Sequence, residues 1–475
     1  MYKQKIEYLY VVLTNGCHTF SVWQPCVFYR KGYQMRGSTF KGGIHPFDGK
    51  NISKDRPIEK LKNAPGEEMV FPISQHIGGP AKVVVTKGQQ VLRGQILAEA
   101  NGYVSSSVIS SVSGTVKAIE PRRVSNGSMA LSVVVVNDGE ERTVEGFGMQ
   151  HDPDRMSRDE ILLEISKAGI VGMGGAGFPT HVKLSPPNWE DIEYVIVNGA
   201  ECEPYLTSDY RKMLEETDSL LRGLQVELSL FPKAVGLIGI EDNKADAIRH
   251  LTEKAGRMER IRICPLKTKY PQGGERNMIY ALTGRKINST MLPADAGCVV
   301  NNVDTVIAVY EAVCCGLPLL RRTITVTGDC VKNPGNYTVA TGTCYERLIE
   351  AAGGFVKEPA KIISGGPMMG QALIDTNIPV TKVSSALLAL SEDAVSAMAP
   401  SACIRCGRCA DVCPGHIIPK LLMDFCERGD YEAFERADGM ECCECGSCTY
   451  VCPARRPLTQ QFKLARKTIS QNRRK

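Results

Sequence analysis

Near its end the chain reads CIRCGRCADVCP at residues 403–414 and CCECGSCTYVCP at residues 442–453. Both follow C-x2-C-x2-C-x3-C-P, through Cys403, Cys406, Cys409 and Cys413, then Cys442, Cys445, Cys448 and Cys452. This pattern dictates what that part of the chain wraps. Three thiolates at three-residue intervals clasp one iron-sulfur cubane, and the fourth ligand comes from the other copy. The expected sets are therefore Cys403, Cys406, Cys409 and Cys452 for one [4Fe-4S] cluster, and Cys442, Cys445, Cys448 and Cys413 for a second. Gly407 and Gly446 relieve the tight turns. Cys443 is an alternative first ligand to Cys442, and zinc an alternative metal, although structural zinc seldom uses this rhythm. Between the groups, Ile418, Leu421, Leu422 and Phe425, then Tyr431, Phe434 and Ala437, recur at helical spacing, so the clusters sit in a helical domain with Cys426 as a packing residue.

Eight of the 19 cysteines fall on the pattern positions of these two stretches, a usage that fits thiolate ligands in a reducing compartment. The net charge of +5 over 475 residues, with no long basic tract, argues against nucleic acid. No run of 18 apolar residues exists, so no membrane span is predicted, and YLYVVL near the start is too short for a signal peptide. The chain is expected on the cytosolic side, soluble or docked to something else.

Two clusters need far fewer residues than precede them. Residues 1–37 show no dominant motif and are left unassigned. Over 38–137, short β-branched runs cut by Gly, Asn and Pro predict a β domain similar to the barrel-sandwich of biotinyl and lipoyl carriers. SSVISSVSGTV carries no lysine before Lys117, which argues against a swinging arm. Residues 150–320 alternate helical patterns with strands such as YVIV and AVGLIGI, an α/β pattern with its site at strand ends. A strand-helix-strand unit at 321–370, the cysteine unit at 395–457 and a basic tail at 458–475 follow.

GIVGMGGAGFPTHVKL, residues 169–184, satisfies G-x-G-x-x-G through Gly172, Gly174 and Gly177. The dinucleotide fingerprint needs a strand before it and a helix opening on it. Here MSRDEILLEISKAGI precedes it, helical in spacing with Ser157 and Glu160 as a capping box, and Phe178-Pro179 follows. This is a glycine loop leaving a helix.

Together with VIVNGAECEP, YPQGGERNMI and VVNNVDTV, that loop resembles the FMN- and NADH-binding subunit of respiratory complex I. TFKGGIHP at 39–46, LPADAGCVVNNVDT at 292–305, ISGGPMMG at 363–370 and CPARRPLTQ at 452–460 more narrowly resemble the RnfC family, the NADH-side subunit of membrane-bound ferredoxin:NAD+ oxidoreductase. The resemblance runs from about residue 38 to 465. It implies a multidomain α/β plus β architecture: barrel-sandwich, complex-I-type flavin/NADH domain, β-grasp (SLBB) module and two-cluster helical domain. It further implies noncovalent FMN lying against Gly172, Gly174, Gly175 and Gly177, whose amides form an anion-binding nest. Lys183 would supply positive charge, unless it is only a surface lysine. Asn198, Glu201 and Glu203 would line the flavin and nicotinamide cleft, with carboxylates favouring NADH over NADPH, unless they are a charged loop rim. Glu275 matches one of two adjacent glutamates at the NADH site, the other being Gly274 here. Asn301 and Asn302 match a pair near the FMN phosphate. Phe178 either stacks on a base or packs, Cys202 packs inward, and His45 and His181 receive no catalytic role.

The implied route links ferredoxin, other membrane-bound Rnf subunits, the two cubanes, FMN and NAD(H). Proton or sodium translocation would reside in those subunits and this chain would be peripheral on the cytoplasmic side. Its basic end would touch a membrane surface or a partner, or merely solubilise the chain. The rivals are a soluble PduS-type cobalamin reductase, a proline-reductase-associated electron carrier, and a non-catalytic iron-sulfur adaptor.

Overall fold

Four short parallel strands organise the centre of the computed structural model, which describes residues 38–395 and 397–473. The unassigned extension 1–37 lies outside the described residues. The strands, Tyr194–Gly199, Val235–Glu241, Ile261–Leu266 and Cys298–Asn302, are nearly continuous apolar runs, as a sheet covered on both faces requires. In space the third lies beside the second, the second beside the first, and the fourth on the first strand's other side. Helices Thr217–Ser229, Ala245–Ala255 and Val303–Cys315 cover one face. Glu275–Thr283 covers the other through Met278 and Ile279. The order reverses between Tyr194–Gly199 and Cys298–Asn302, and a crevice opens where connections leave such a pair in opposite directions.

Around this sheet sit three further units. The first is a sandwich of two small β-sheets, with Met69, Phe71, Leu97, Val116, Val133 and Val135 in its core. Lys117 lies mid-strand in Gly114–Arg123, ion-paired to Glu68, and is not presented on a hairpin. The β-grasp sheet reaches beyond 321–370: Ala386–Leu390 lies in its middle and Glu59–Lys60 adds a parallel edge strand. Helix Tyr345–Ala351 covers it, as its sequence predicts.

In the cysteine unit, helices Pro419–Arg428 and Tyr431–Arg436 pack on Leu458–Asn472, with the Phe434 and Phe462 rings 5.9 Å apart. The stretch expected to be a basic tail is thus helical. Leu458, Phe462, Ala465 and Ile469 recur on one face and bury there, leaving the basic residues outside. Cys426 is half-buried against this helix, with Sγ facing the Gln461 carbonyl.

Two long-range devices hold the units together. Residues 38–50 form a strap across the central domain: Ser38 bridges Leu266, and Ile44 exchanges backbone hydrogen bonds with Tyr270. Lys382, 2% exposed, reaches Ser106 Oγ at 3.1 Å, the Ser107 carbonyl at 2.5 Å and the Gly169 carbonyl at 2.6 Å. It staples the β-sandwich to the residue that opens the glycine loop.

Candidate active site and cysteine centres

The capping box is present, with Ser157 and Glu160 exchanging hydrogen bonds at the start of helix Arg158–Lys167. The chain then turns out of the helix and back, with Gly172 N–H donating to the Phe178 carbonyl at 2.8 Å. Gly174, Gly175 and Ala176 form the exposed tip. Gly174 has φ +78, and a Cβ there would lie 3.1 Å from Asn302 Nδ2. At Gly175 a Cβ would meet nothing within 4 Å. Gly177 is buried against Gln75 and Val383.

The tip lies over the topological reversal. Asn198 and Asn302 are register partners at the carboxyl ends of the two strands that flank it. Asn198 Nδ2 donates to the Gly273 carbonyl at 2.8 Å, and Asn302 caps helix Val303–Cys315 while donating to Asp209 Oδ2 at 2.6 Å. Half-buried Lys183 donates to the Val300 carbonyl at 2.8 Å, and a Gly172 Cβ would lie 3.8 Å from its Nζ. Burial lowers the Lys183 pKa, against the pull of Glu275 and then Glu227. Glu275, exposed, opens helix Glu275–Thr283. The structure therefore gathers Gly172, Gly174, Gly175, Lys183, Asn198, Asn302 and Glu275 along one edge.

Glu201, Glu203 and Asn301 are engaged elsewhere. Glu201 accepts from the Asp209 N–H at 2.7 Å and the Tyr210 N–H at 3.3 Å, capping helix Ser208–Glu215. Glu203 accepts from the Met368 and Met369 N–H at 3.2 and 2.8 Å, and the absence of a side chain at Gly366 makes room for it. Burial pushes both carboxyls up to about 7. Sequence reasoning missed Lys50, 7% exposed, whose ammonium donates to the carbonyls of Glu201, Glu203 and Leu206 at 2.8, 2.9 and 2.5 Å. It sets the shape of the ECEP turn. Cys202 does turn inward, accepting from the Gly273 N–H at 3.2 Å, and burial raises its thiol to about 12.

Asn301 is 1% exposed and donates through Nδ2 to Glu227 Oε1 at 2.8 Å, while Asn301 Oδ1 and Glu227 Oε2 both lack partners. Two buried acceptors side by side are satisfied if Glu227 carries a proton and donates it back, and burial raises its pKa to about 8. A raised carboxyl means that the folded state binds the extra proton. This contribution to stability is full below about 4.5 and is lost as pH rises toward 8, by an amount on the order of 2–5 kcal/mol. Glu227→Gln is expected to flatten that part of the pH profile while keeping the pair. Asn301→Asp should destabilise by roughly 3 kcal/mol at neutral pH, and denaturant titrations from pH 5 to 8.5 measure both.

The two cysteine groups repeat one backbone conformation. Cys403 Sγ accepts from the Arg405 N–H and Cys442 Sγ from the Glu444 N–H, each at 3.4 Å. Arg405 and Glu444 have φ +55 and +58, Gly407 and Gly446 +77 and +81, and His416 and Arg455, each three residues past a fourth cysteine, +55 and +52. By this correspondence Cys442, not Cys443, is the counterpart of Cys403. Among the described residues no three such donors are close enough for a single metal ion, yet Cys403, Cys406, Cys409 and Cys452 rim one pocket. Burial raises the Cys413, Cys442 and Cys448 thiols and their cysteine neighbours add to it, Cys442 and Cys448 reaching about 12, whereas a hydrogen bond from Cys443 lowers Cys445 to about 6.

The environments of the two groups differ. Cys403 and Cys406 are exposed, whereas the second group is enclosed. Tyr270 Oη donates to the Cys445 carbonyl at 2.6 Å, Arg276 pairs with Glu441 at 2.8 Å, and the Gly43 N–H reaches the Val412 carbonyl at 2.8 Å. The second group therefore faces the central domain at Tyr270 and Arg276, which bracket the stretch that carries Gly273 and Glu275.

Four family models match the chain in order: an RnfC barrel sandwich hybrid domain over 38–140, a Nuo51 FMN-binding domain over 165–311, an SLBB domain over 323–372 and a 4Fe-4S binding domain over 399–418. The corresponding component of the Na(+)-translocating ferredoxin:NAD(+) oxidoreductase complex of Acetobacterium woodii is 43% identical over 93% of this chain and 99% of its own. The chain belongs to the RnfC family. A second RnfC relative, from the proton-translocating ferredoxin:NAD(+) oxidoreductase complex of Clostridium ljungdahlii, is 44% identical over 81% of this chain and 83% of its own. Among solved structures, an NAD+-reducing [NiFe]-hydrogenase in the air-oxidized state aligns at 20% identity over 65% of this chain and 63% of that one, with TM-score 0.47. This RnfC thus has the barrel-sandwich, flavin-domain and SLBB organisation expected of it, together with a 4Fe-4S binding domain. No helix among the described residues is long and apolar enough to cross a membrane.

Proposed function

We propose that this RnfC chain is the NAD(H)-side electron-transfer subunit of a membrane-associated ferredoxin:NAD+ oxidoreductase linked to Na+ or H+ translocation, working with FMN and two [4Fe-4S] clusters. The observation that carries the reading is the enclosure of the second cysteine group against the loop at the glycine-edged crevice, with the first group open to solvent. FMN, when bound, supplies the exchange between the paired electrons of a nicotinamide and the single electrons of a cluster. The residues fit it. Gly175 has open space where a side chain would stand, the loop presents backbone at a topological reversal, and Lys183 brings a donor to its floor.

Lys183, Asn198 and Asn302 would hold the flavin, and Glu275 would accept a hydrogen bond from a ribose hydroxyl of NADH. Glu201, Glu203 and Asn301 support the walls. The repeated backbone supports a cluster in each group, held by Cys403, Cys406, Cys409 and Cys452 and by Cys413, Cys442, Cys445 and Cys448. The other Rnf subunits would anchor the chain at the cytoplasmic membrane face and link it indirectly to ferredoxin.

Anaerobic purification is expected to yield one FMN and about eight irons, bleached by NADH and not by NADPH. Iron without flavin, and no NADH response on adding FMN, would refute the crevice assignment. Gly175→Val tests the loop directly. Nothing in the chain opposes that side chain, so stability should change by less than about 0.5 kcal/mol while FMN affinity falls more than about tenfold, read by flavin fluorescence titration.

A further inference from the structure

The two cysteine copies share a backbone, so the side chains at matched positions show what each is built to face. Arg405 of the open copy stands where the enclosed copy has Glu444, which is paired to Arg466. Arg408 stands where the other has buried Ser447 and Ile404 where it has Cys443, while Arg455 follows Cys452, the expected crossed ligand of the open group, as His416 follows Cys413.

Residues 401–408 are all exposed, Ile404 to 68%, and so is Arg455. Among the described residues Arg405, Arg408 and Arg455 have no ion-pair partner. The other arginines among the unit's described residues are engaged: Arg436 with Glu432, Arg456 with Glu427, Arg466 with Glu444, Arg473 with Glu435, and Arg428 over the Phe425 ring. Lys420, also at the pocket, is paired to Asp424, and Asp411 is the exposed acid nearby in sequence. Positive charge is thus left unneutralised at the pocket rimmed by Cys403, Cys406, Cys409 and Cys452, whose lining also includes exposed Ile404.

We propose that Arg405, Arg408 and Arg455, together with exposed Ile404, form the docking surface for an acidic iron-sulfur protein domain that exchanges single electrons with the first cluster. This rests on the cluster reading above. In each encounter the partner's reduced group loses one electron and the first cluster gains it, or the reverse, with no bond or proton changing hands. Unpaired arginines raise the encounter rate by attraction at long range, and the apolar contact forms on arrival.

The test uses the full chain with reconstituted clusters and, as probe, a reduced acidic two-cluster ferredoxin, followed by stopped-flow reduction and by binding across ionic strengths. The triple variant R405E/R408E/R455E is expected to associate at least about tenfold more slowly at low salt and to lose most of the salt dependence. Arg249→Glu, on an exposed position of the central domain, should match wild type. Iron is counted in the same samples, and single Arg455→Glu, outside both cysteine groups, serves if the triple variant loses metal. Full iron with unchanged rate and salt dependence, or no binding of the probe to wild type, overturns the docking surface. Absence of iron at the first group in wild type instead overturns the cluster reading.

Discussion

Cys445→Ser is expected to remove about half of the iron and to leave the first group unable to receive electrons from NADH, while flavin bleaching by NADH persists. Cys445 is 8% exposed and its carbonyl is fixed by Tyr270, so serine can occupy the site without moving the backbone. What changes is the ligand. Anaerobic iron counts and EPR after NADH addition read the two effects separately. Cys443→Ser is the matched control, because the repeated backbone makes Cys442 the counterpart of Cys403. Full iron in Cys445→Ser, or loss in Cys443→Ser, would require a different ligand set.

The second large effect is expected at Lys50. Lys50→Met removes one ammonium from three carbonyls in a buried turn, each of which then loses its donor. Leaving such acceptors without water or partner costs roughly 1–3 kcal/mol each, so about 3–5 kcal/mol is expected even with partial relaxation. Burial lowers the Lys50 pKa while the nearby Glu201 carboxylate opposes it. Methionine removes that charge, and Glu201 loses a positive neighbour as well. Denaturant unfolding under anaerobic conditions measures the loss, and a change within about 0.5 kcal/mol would show that the turn holds itself.

These two residues mark where the chain is legible. The repeated cysteine turns can be read because their geometry is local: spacing along the chain places the sulfurs, and Gly407 and Gly446 announce the turns. Ser157 and Glu160 are legible for the same reason, one helical turn apart. Lys50 is not, because its partners are carbonyls 151 to 156 residues away, and a carbonyl has no side-chain signature. Glu201 and Glu203 have the right type and neighbourhood for ligand contacts, yet backbone N–H groups of residues 209, 210, 368 and 369 claim their oxygens. Glu227 looks like an ordinary polar position on an amphipathic helix, and only the strand against it shows the buried pair with Asn301. The terminal helix, by contrast, was written in the spacing of Leu458, Phe462, Ala465 and Ile469, and the basic residues between them obscured it.

The strap also sets an order of assembly on the ribosome. Gly43 donates to the carbonyl of Val412, about 370 residues later, and that contact lies one residue from Cys413. An emerging chain can complete the β-sandwich and the parallel sheet before either cysteine group leaves the exit tunnel. The enclosed cysteine group closes only after residue 412 has been made, when the strap and the cysteine unit meet. A truncation that removes residues 38–44 should stall maturation at a folded, half-metallated species.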